Sequence, residues 1–251
     1  MGVEVLEITQ VDANSIDVKI RVAADCRLGE HVAQVRTKRG ISDYRSFYVG
    51  ALPAVAEAEP NNSVDAPQKI EQNVTVTGVV QNEDVDYYAV TCTKGQRLSV
   101  EIEAIRLGIM FDSFISLVDS KRFELASSDD SSLGNQDGLI SVTIPEDGEY
   151  YVVVREASYG GNGSSQYRLH VGPFPRPTVA YPAGGPKGKE IDVAFLGDPT
   201  GPITQKLTVK NETGFRDDLF VSDEQGITPS PIVFRPSDFE NAMEVEPNNT
   251  W

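Results

Sequence analysis

Two acidic runs hold the residues best suited to chemistry. Glu57, Glu59, Asn61 and Asn62 place four oxygen-bearing side chains within six residues, and Asp84 and Asp86 add two more. That donor set suits a hard divalent cation, because Ca²⁺ takes roughly six to eight oxygens from carboxylates, amides and carbonyls. Side chains alternate along an extended chain, so positions 57, 59 and 61 project to one side. Pro60 fixes its own φ and lacks an amide hydrogen, which stiffens the run. A plainer role competes: Asn and Asp shape turns. On that reading Glu59–Asn62 forms the entry to a domain, and Asp86 accepts backbone amides while Tyr88 sits in the core.

Other reactive side chains point to structure rather than catalysis. Asp129, Asp130 and Asp137 read as a solvated loop, and Asp112 as a turn cap before a strand. His31 and His170 fall on strands with no nucleophile motif beside them. Gly-x-Ser-x-Gly, His-Glu-x-x-His and the phosphate-binding loop are all absent. Glu101 and Glu103 have the residue types of a glycosidase pair, but they lie on one face of a strand opposite its apolar positions, which predicts an exposed polar surface. Cys92 follows Tyr88 and Val90 by even steps and is expected in the core. Cys26 lies in a different segment, so a bridge to Cys92 would demand a narrow geometry. Tyr87, Tyr150, Tyr151, Tyr159 and Tyr167 offer a rival function, a face that stacks on sugar rings or packs on collagen-like chains.

The elements that must position these residues are strands. Residues 97–104 alternate most cleanly: Leu98, Val100, Ile102 and Ala104 on one face, Arg97, Ser99, Glu101 and Glu103 on the other. Further strands are predicted over 15–22, 31–36, 73–77, 113–119, 138–144, 149–155, 166–171, 189–196 and 203–210. Lys94-Gly95, Glu146-Asp147-Gly148, Gly160–Gly163 and Gly184-Gly185-Pro186 punctuate them as turns. No window has a convincing 3.6-residue period. The expectation is an all-β chain of antiparallel sandwiches.

Composition narrows the function. The 251 residues hold 22 Lys+Arg against 38 Asp+Glu, a net charge of −16, with 39% hydrophobic residues. That is apolar enough for packed cores. The sign argues against nucleic acid or an anionic bilayer as partner. No apolar run approaches the roughly 20 residues of a membrane-spanning helix. Two cysteines and two histidines exclude a disulfide scaffold and a four-thiolate zinc site.

The acidic run is nearly duplicated. Glu57-Ala58-Glu59-Pro60-Asn61-Asn62-Ser63 recurs, 187 positions on, as Glu244-Val245-Glu246-Pro247-Asn248-Asn249-Thr250. This predicts a segment of a longer repetitive protein, so the lack of a signal-peptide pattern after Met1 says nothing about compartment. Four segments follow: 3–52, 57–172, 173–243 behind the stiff connector Pro173–Pro177, and 244–251 as the start of a second, truncated copy.

The segment 57–172 resembles the bacterial pre-peptidase C-terminal domain family. The resemblance rests on Glu59–Asn62, Gly78, Asp84-Val85-Asp86-Tyr87-Tyr88, Lys94-Gly95-Gln96, Asp112–Asp119, Ser128–Asp130, Asp147–Val152 and Tyr167–Val171, in that order. It implies a jelly-roll-like β-sandwich, a non-catalytic module of secreted or cell-surface bacterial proteins, and in some relatives calcium binding. Carried over by position, the implied ligands are Glu57, Glu59, Asn61, Asn62, Asp84 and Asp86, with the Tyr87 carbonyl beside them. Asn62 departs from relatives that carry Asp there, which removes one formal charge. The flanks 3–52 and 173–243 resemble small Ig-like domains of the IPT/TIG kind. If 3–52 is such a domain cut at its front, its sheet has an unpaired edge. The expected function is therefore a calcium-stabilised structural or binding module that contacts neighbouring modules of its own chain. The alternative is an accessory domain of a secreted hydrolase or peptidase that binds an extracellular polysaccharide or a protein such as collagen.

Overall fold

The computed structural model describes residues 2–131, 133, 136–211 and 217–248. The chain divides into two units, Met1–Ala51 and Leu52–Trp251. In the first, β1 (Val3–Gln10) and β2 (Ile16–Val22) form an antiparallel pair. A second pair joins β3 (Gly29–Ala33) to β6 (Arg45–Val49). Between them in sequence lies a small hairpin of β4 (Arg36–Thr37) and β5 (Gly40–Ile41).

The second unit opens with a two-sheet sandwich. Its strands are β7 (Ala54–Ala56), β8 (Gln68–Lys69), β9 (Val74–Val79), β10 (Val85–Cys92), β11 (Arg97–Glu103), β12 (Ser113–Val118), β13 (Glu124–Ser128), β14 (Leu139–Thr143), β15 (Gly148–Glu156) and β16 (Gln166–Gly172). One sheet runs β13-β12-β15-β10-β8 and the other β14-β11-β16-β9-β7. Among the described residues of the sandwich, the edge strands β7 and β8 pair in parallel and the others antiparallel. Side chains of period two meet between the sheets: Tyr88, Val90 and Cys92 from β10, Leu98, Val100 and Ile102 from β11, Val152 and Val154 from β15, and Leu169 and Val171 from β16. Each side chain of that size contributes about 1.5–3 kcal/mol on burial.

Eight shorter strands follow: β17 (Val179–Tyr181), β18 (Gly184–Pro186), β19 (Glu190–Leu196), β20 (Ile203–Thr208), β21 (Asp217–Leu219), β22 (Ser222–Asp223), β23 (Gly226–Ile227) and β24 (Ile232–Ser237). They make a sheet β17-β19-β20, a sheet β18-β24-β21 and a hairpin β22-β23. A second core of Ala180, Val193, Phe195, Val209, Val221, Ile232 and Phe234 lies among them.

The alternation of β11 predicts one dry face and one wet face, but every residue of this strand is buried. The chain that follows β16 covers the second face. Arg97 donates to the Pro173 carbonyl and pairs with Asp198 at 3.0 Å and Asp223 at 2.7 Å. Ser99 donates to the Phe174 carbonyl. Glu101, 1% exposed, pairs with Arg106 and Arg176 at 2.8 Å each and accepts from Ser230. Glu103 pairs with Arg168 and His170. Polar alternation here marks charged partners rather than water.

Asp137 is the other correction. Instead of lying in a solvated loop it is fully buried. It accepts from the amides of Ala104, Ile105 and Arg106 and from Arg106 Nε at 2.8 Å. Those donors offset the cost of desolvating the carboxylate. Asp129 and Asp130 are exposed, as a solvated loop requires.

Candidate metal centre

The acidic runs meet where the chain leaves β7 and crosses from one sheet to the other. β10 alternates so that Asp86 shares its inner face with Tyr88 and Val90. Asp86 and Asn61 are fully buried, Asp84 nearly so, Glu57 is half-buried, and Glu59 and Asn62 are exposed. One carboxylate oxygen from each of Glu57, Glu59 and Asp86 lies within 4.8 Å of the others. One end of the Asn61 amide is 3.0 Å from Glu59 Oε2 and 3.1 Å from Asp86 Oδ1. With nitrogen there, the amide donates to both; with oxygen there, three oxygens crowd one point, an arrangement that a cation relieves.

The other two predicted residues sit beside this group and engage each other. Asn62 Nδ2 donates to Asp84 Oδ1 at 2.5 Å, and the Gln81 amide donates to Asp84 Oδ2 at 3.1 Å. Tyr87 contributes its amide, which donates to the Asn61 carbonyl at 2.9 Å and clips the acidic run onto β10. The six residues thus form a four-residue cluster around Asp86 and an adjoining Asn62–Asp84 pair.

Two tyrosines complete the floor, and the search for oxygen ligands passed over them. Tyr88 donates to Glu57 Oε1 at 2.9 Å, Tyr167 donates to Asp86 Oδ2 at 2.6 Å, and the two hydroxyls are 2.5 Å apart. They come from opposite sheets. The available signal was Gly78, since glycine inside a strand marks a close approach. A Cβ there would lie 2.4 Å from the Tyr167 ring. The remaining tyrosines are placed individually. Tyr150 is buried, Tyr87 and Tyr151 are half-buried, and exposed Tyr159 is engaged with Arg155, 4.5 Å from its ring centroid.

The charge balance of this site is one-sided. Burial pushes the Asp86 carboxyl up to about 8; the Tyr167 hydroxyl opposes the shift, while the charges of Glu57 and Asp84 add to it. Among the described residues no ion pair links Glu57, Glu59, Asp84 or Asp86 to a basic side chain. The donor set, all oxygen and lacking a counter-charge, fits a hard cation. Ca²⁺ would be held by Glu57, Glu59, Asn61 and Asp86. It would supply the missing positive charge.

The second copy of the motif keeps the local bonds. The Asn248 amide donates to Glu246 Oε2 at 2.8 Å, as the Asn61 amide donates to Glu59 Oε2 at 2.9 Å. Asn248 Nδ2 donates to Glu244 Oε1 at 2.5 Å, as Asn61 Nδ2 does to Glu57 Oε1 at 3.4 Å. Glu244, Glu246 and Asn248 are all exposed.

His170 deserves a catalytic test because a hydroxyl and a carboxylate flank it: Thr75 Oγ1 at 2.9 Å and Glu103 Oε2 at 3.0 Å. That is the connectivity of a nucleophile, a base and its orienter. Thr75 is 2% exposed and His170 1%. A substrate cannot reach them, so the trio ties β9, β16 and β11 together.

Residues 84–156 match the family model described as the bacterial pre-peptidase C-terminal domain. This pre-peptidase C-terminal match spans under a third of the chain. It takes in Asp84, Asp86 and Tyr88, and ends before Tyr167. Among solved structures, the chain is similar to the pre-peptidase C-terminal domain of a collagenase from Bacillus anthracis, at 17% identity and a TM-score of 0.33, covering 42% of this chain and 93% of that one. It is also similar to PliG, a periplasmic inhibitor of g-type lysozyme. The Salmonella Typhimurium protein is 20% identical with a TM-score of 0.28, covering 48% of this chain and 97% of that one. The Aeromonas hydrophila protein is 13% identical with a TM-score of 0.27, covering 48% and 96%. No curated protein matches the chain. No helix among the described residues is long and apolar enough to cross a membrane.

Proposed function

We propose that this chain is a non-catalytic structural module of a secreted or cell-surface bacterial multidomain protein. Its pre-peptidase C-terminal-like sandwich binds Ca²⁺ at Glu57, Glu59, Asn61 and Asp86, and small Ig-like segments flank it. The ion fastens the stretch that enters the sandwich to β10 and so stiffens the joint between modules. One observation carries this reading: carboxylate oxygens from Glu57, Glu59 and Asp86 converge within 4.8 Å, with no basic side chain among the described residues paired to them. A ligand bound only by the folded form stabilises it by mass action. Thermal unfolding of the full chain in EDTA and in millimolar CaCl₂ is the test. Calcium is expected to raise the melting temperature, EDTA to reverse the rise, and Asp86→Ala to remove it. Superimposable melts with and without calcium overturn the reading.

A further inference from the structure

Within the second unit, the sandwich and the strands after it form a cleft of about 830 Å³. That volume lies in the upper part of the range of ligand pockets, about 300–1,000 Å³. One wall is the turn from β10 to β11, with Thr93, Gly95 and Gln96, beside Gln72 ahead of β9. The facing wall is Thr200, after β19, and the β22–β23 turn with Asp223, Glu224 and Gln225.

Both walls are held in place by bonds of their own. Arg97, 4% exposed, joins them with five hydrogen bonds, two to the Pro173 carbonyl and one each to Asp198, Thr200 and Asp223. On the sandwich side the amides run in a chain. Gln96 Oε1 accepts from the Thr93 amide at 3.0 Å and the Thr93 hydroxyl at 3.1 Å, Gln96 Nε2 donates to Gln72 Oε1, and Gln72 Nε2 donates to the Thr91 carbonyl at 2.6 Å. An amide has two N–H groups and two lone pairs, so this chain leaves one N–H of Gln96 and one lone pair of the Gln72 oxygen unspent. On the other side the Gln225 amide donates to Asp223 Oδ1 at 2.8 Å, and the Gln225 carbonyl accepts from Asn73 Nδ2 at 3.5 Å. The turn is thereby fixed while Glu224 and Gln225 stay exposed.

The lining selects its ligand by exclusion. Among the described residues it contains no aromatic side chain and one apolar side chain, Pro173, which argues against an apolar ligand. An anion finds no free cation, because the five N–H groups of Arg97 are all spent and Glu224 repels negative charge. A divalent metal finds too few ligands, since Asp223 is already bonded to Arg97 and Ca²⁺ takes roughly six to eight oxygens. What fits is a neutral ligand whose groups both donate and accept, as the hydroxyls of a sugar do. A carboxylate accepts from two adjacent hydroxyls, and an amide donates to one and accepts from the next.

We propose that this cleft binds a neutral saccharide, held by Glu224 and Gln225 from one wall and by Gln72 and Gln96 from the other. Recognition is by hydrogen bonds alone, and the tyrosines take no part in it. The cleft shares no residue with the cluster around Asp86, so this site and the calcium site stand or fall separately.

The test titrates the ¹⁵N-labelled full chain with neutral cello-, chito-, manno- and xylo-oligosaccharides. At least one is expected to give saturable shifts of the Gly95, Gln96, Glu224 and Gln225 amide signals. Replacing both exposed side chains, Glu224→Ala with Gln225→Ala, should weaken that binding about tenfold or more. Tyr159→Ala, outside the cleft, should leave it unchanged. The proposal is overturned if none of the four sugars gives a saturable shift at these amides, or if the double variant binds as tightly as the parent. Binding of an oligolysine peptide at these amides where sugars fail would also overturn it, and would give the cleft to a basic protein segment.

Discussion

Two clusters in the second unit bury carboxylates under opposite electrostatic conditions. Over β11, Glu101, Glu103 and Asp137 meet Arg106, Arg168, Arg176 and His170. At the entry to the sandwich, the partners of Glu57, Glu59, Asp84 and Asp86 among the described residues are tyrosine hydroxyls, asparagine amides and backbone amides. Burial alone raises a carboxyl, and at Glu101 the guanidiniums of Arg176 and Arg106 outweigh it and carry the group down to about 2. At Asp86 nothing outweighs it, and the group stands at about 8. The fold therefore brings its own cations to one cluster and leaves the other to a proton or an ion from solution. The first is the construction of a permanent joint, the second of a conditional one.

The largest effect should come from breaking the self-sufficient cluster. Glu101→Ala leaves Arg106 and Arg176 without their shared partner, and Arg176 is 1% exposed. Removing one member of a buried pair costs about 3–5 kcal/mol. Urea unfolding of the full chain should show a loss of that order, equal with and without calcium. A calcium-dependent loss would mean that the two clusters are coupled.

The next effect is smaller and opposite in sign. A carboxyl raised above its unfolded value stabilises the fold fully below about pH 4 and loses that contribution as pH climbs through about 8. Glu101, lowered, contributes above about 4.5 and loses it toward about 2. Without calcium, Asp86→Asn is therefore expected to stabilise the protein at pH 8 by about 1–3 kcal/mol and to do nothing near pH 4. It should also abolish the response to calcium. A stability difference that does not change across that pH range would remove the contrast between the clusters.

What the chain's alternation reveals is that two faces of a strand differ; it does not reveal what covers the second. β11 shows this. Its core face was legible from Leu98, Val100 and Ile102, but, Arg106 apart, the partners of its polar face lie far along the chain. Ser230, which donates to Glu101, is 129 residues away. Asp137 hid for the same reason, since an aspartate near a glycine-rich turn looks the same wet or dry until the 3₁₀ turn Ile105–Leu107 is placed on it. The acidic motif was legible because six of its chemical groups lie within two short stretches. Tyr167 was not, because it meets Asp86 only after two sheets close, 81 residues apart in sequence.

The smallest expected effect bears on how much of the entry site is local. Glu246 and Asn248 hold the same bond as Glu59 and Asn61, so the motif shapes itself before any sandwich is present around it. The first copy adds what the exposed copy lacks among its described contacts: Asp86 from β10, Tyr88 and Tyr167 from facing sheets, and burial that makes charge expensive. If binding needs those additions, Glu246→Gln should leave both stability and the calcium response unchanged within about 0.5 kcal/mol. Glu59→Gln, the matching change in the first copy, should weaken the response. Equal effects from the two substitutions would place cation binding in the heptapeptide itself, and the buried aspartate would then be a bystander.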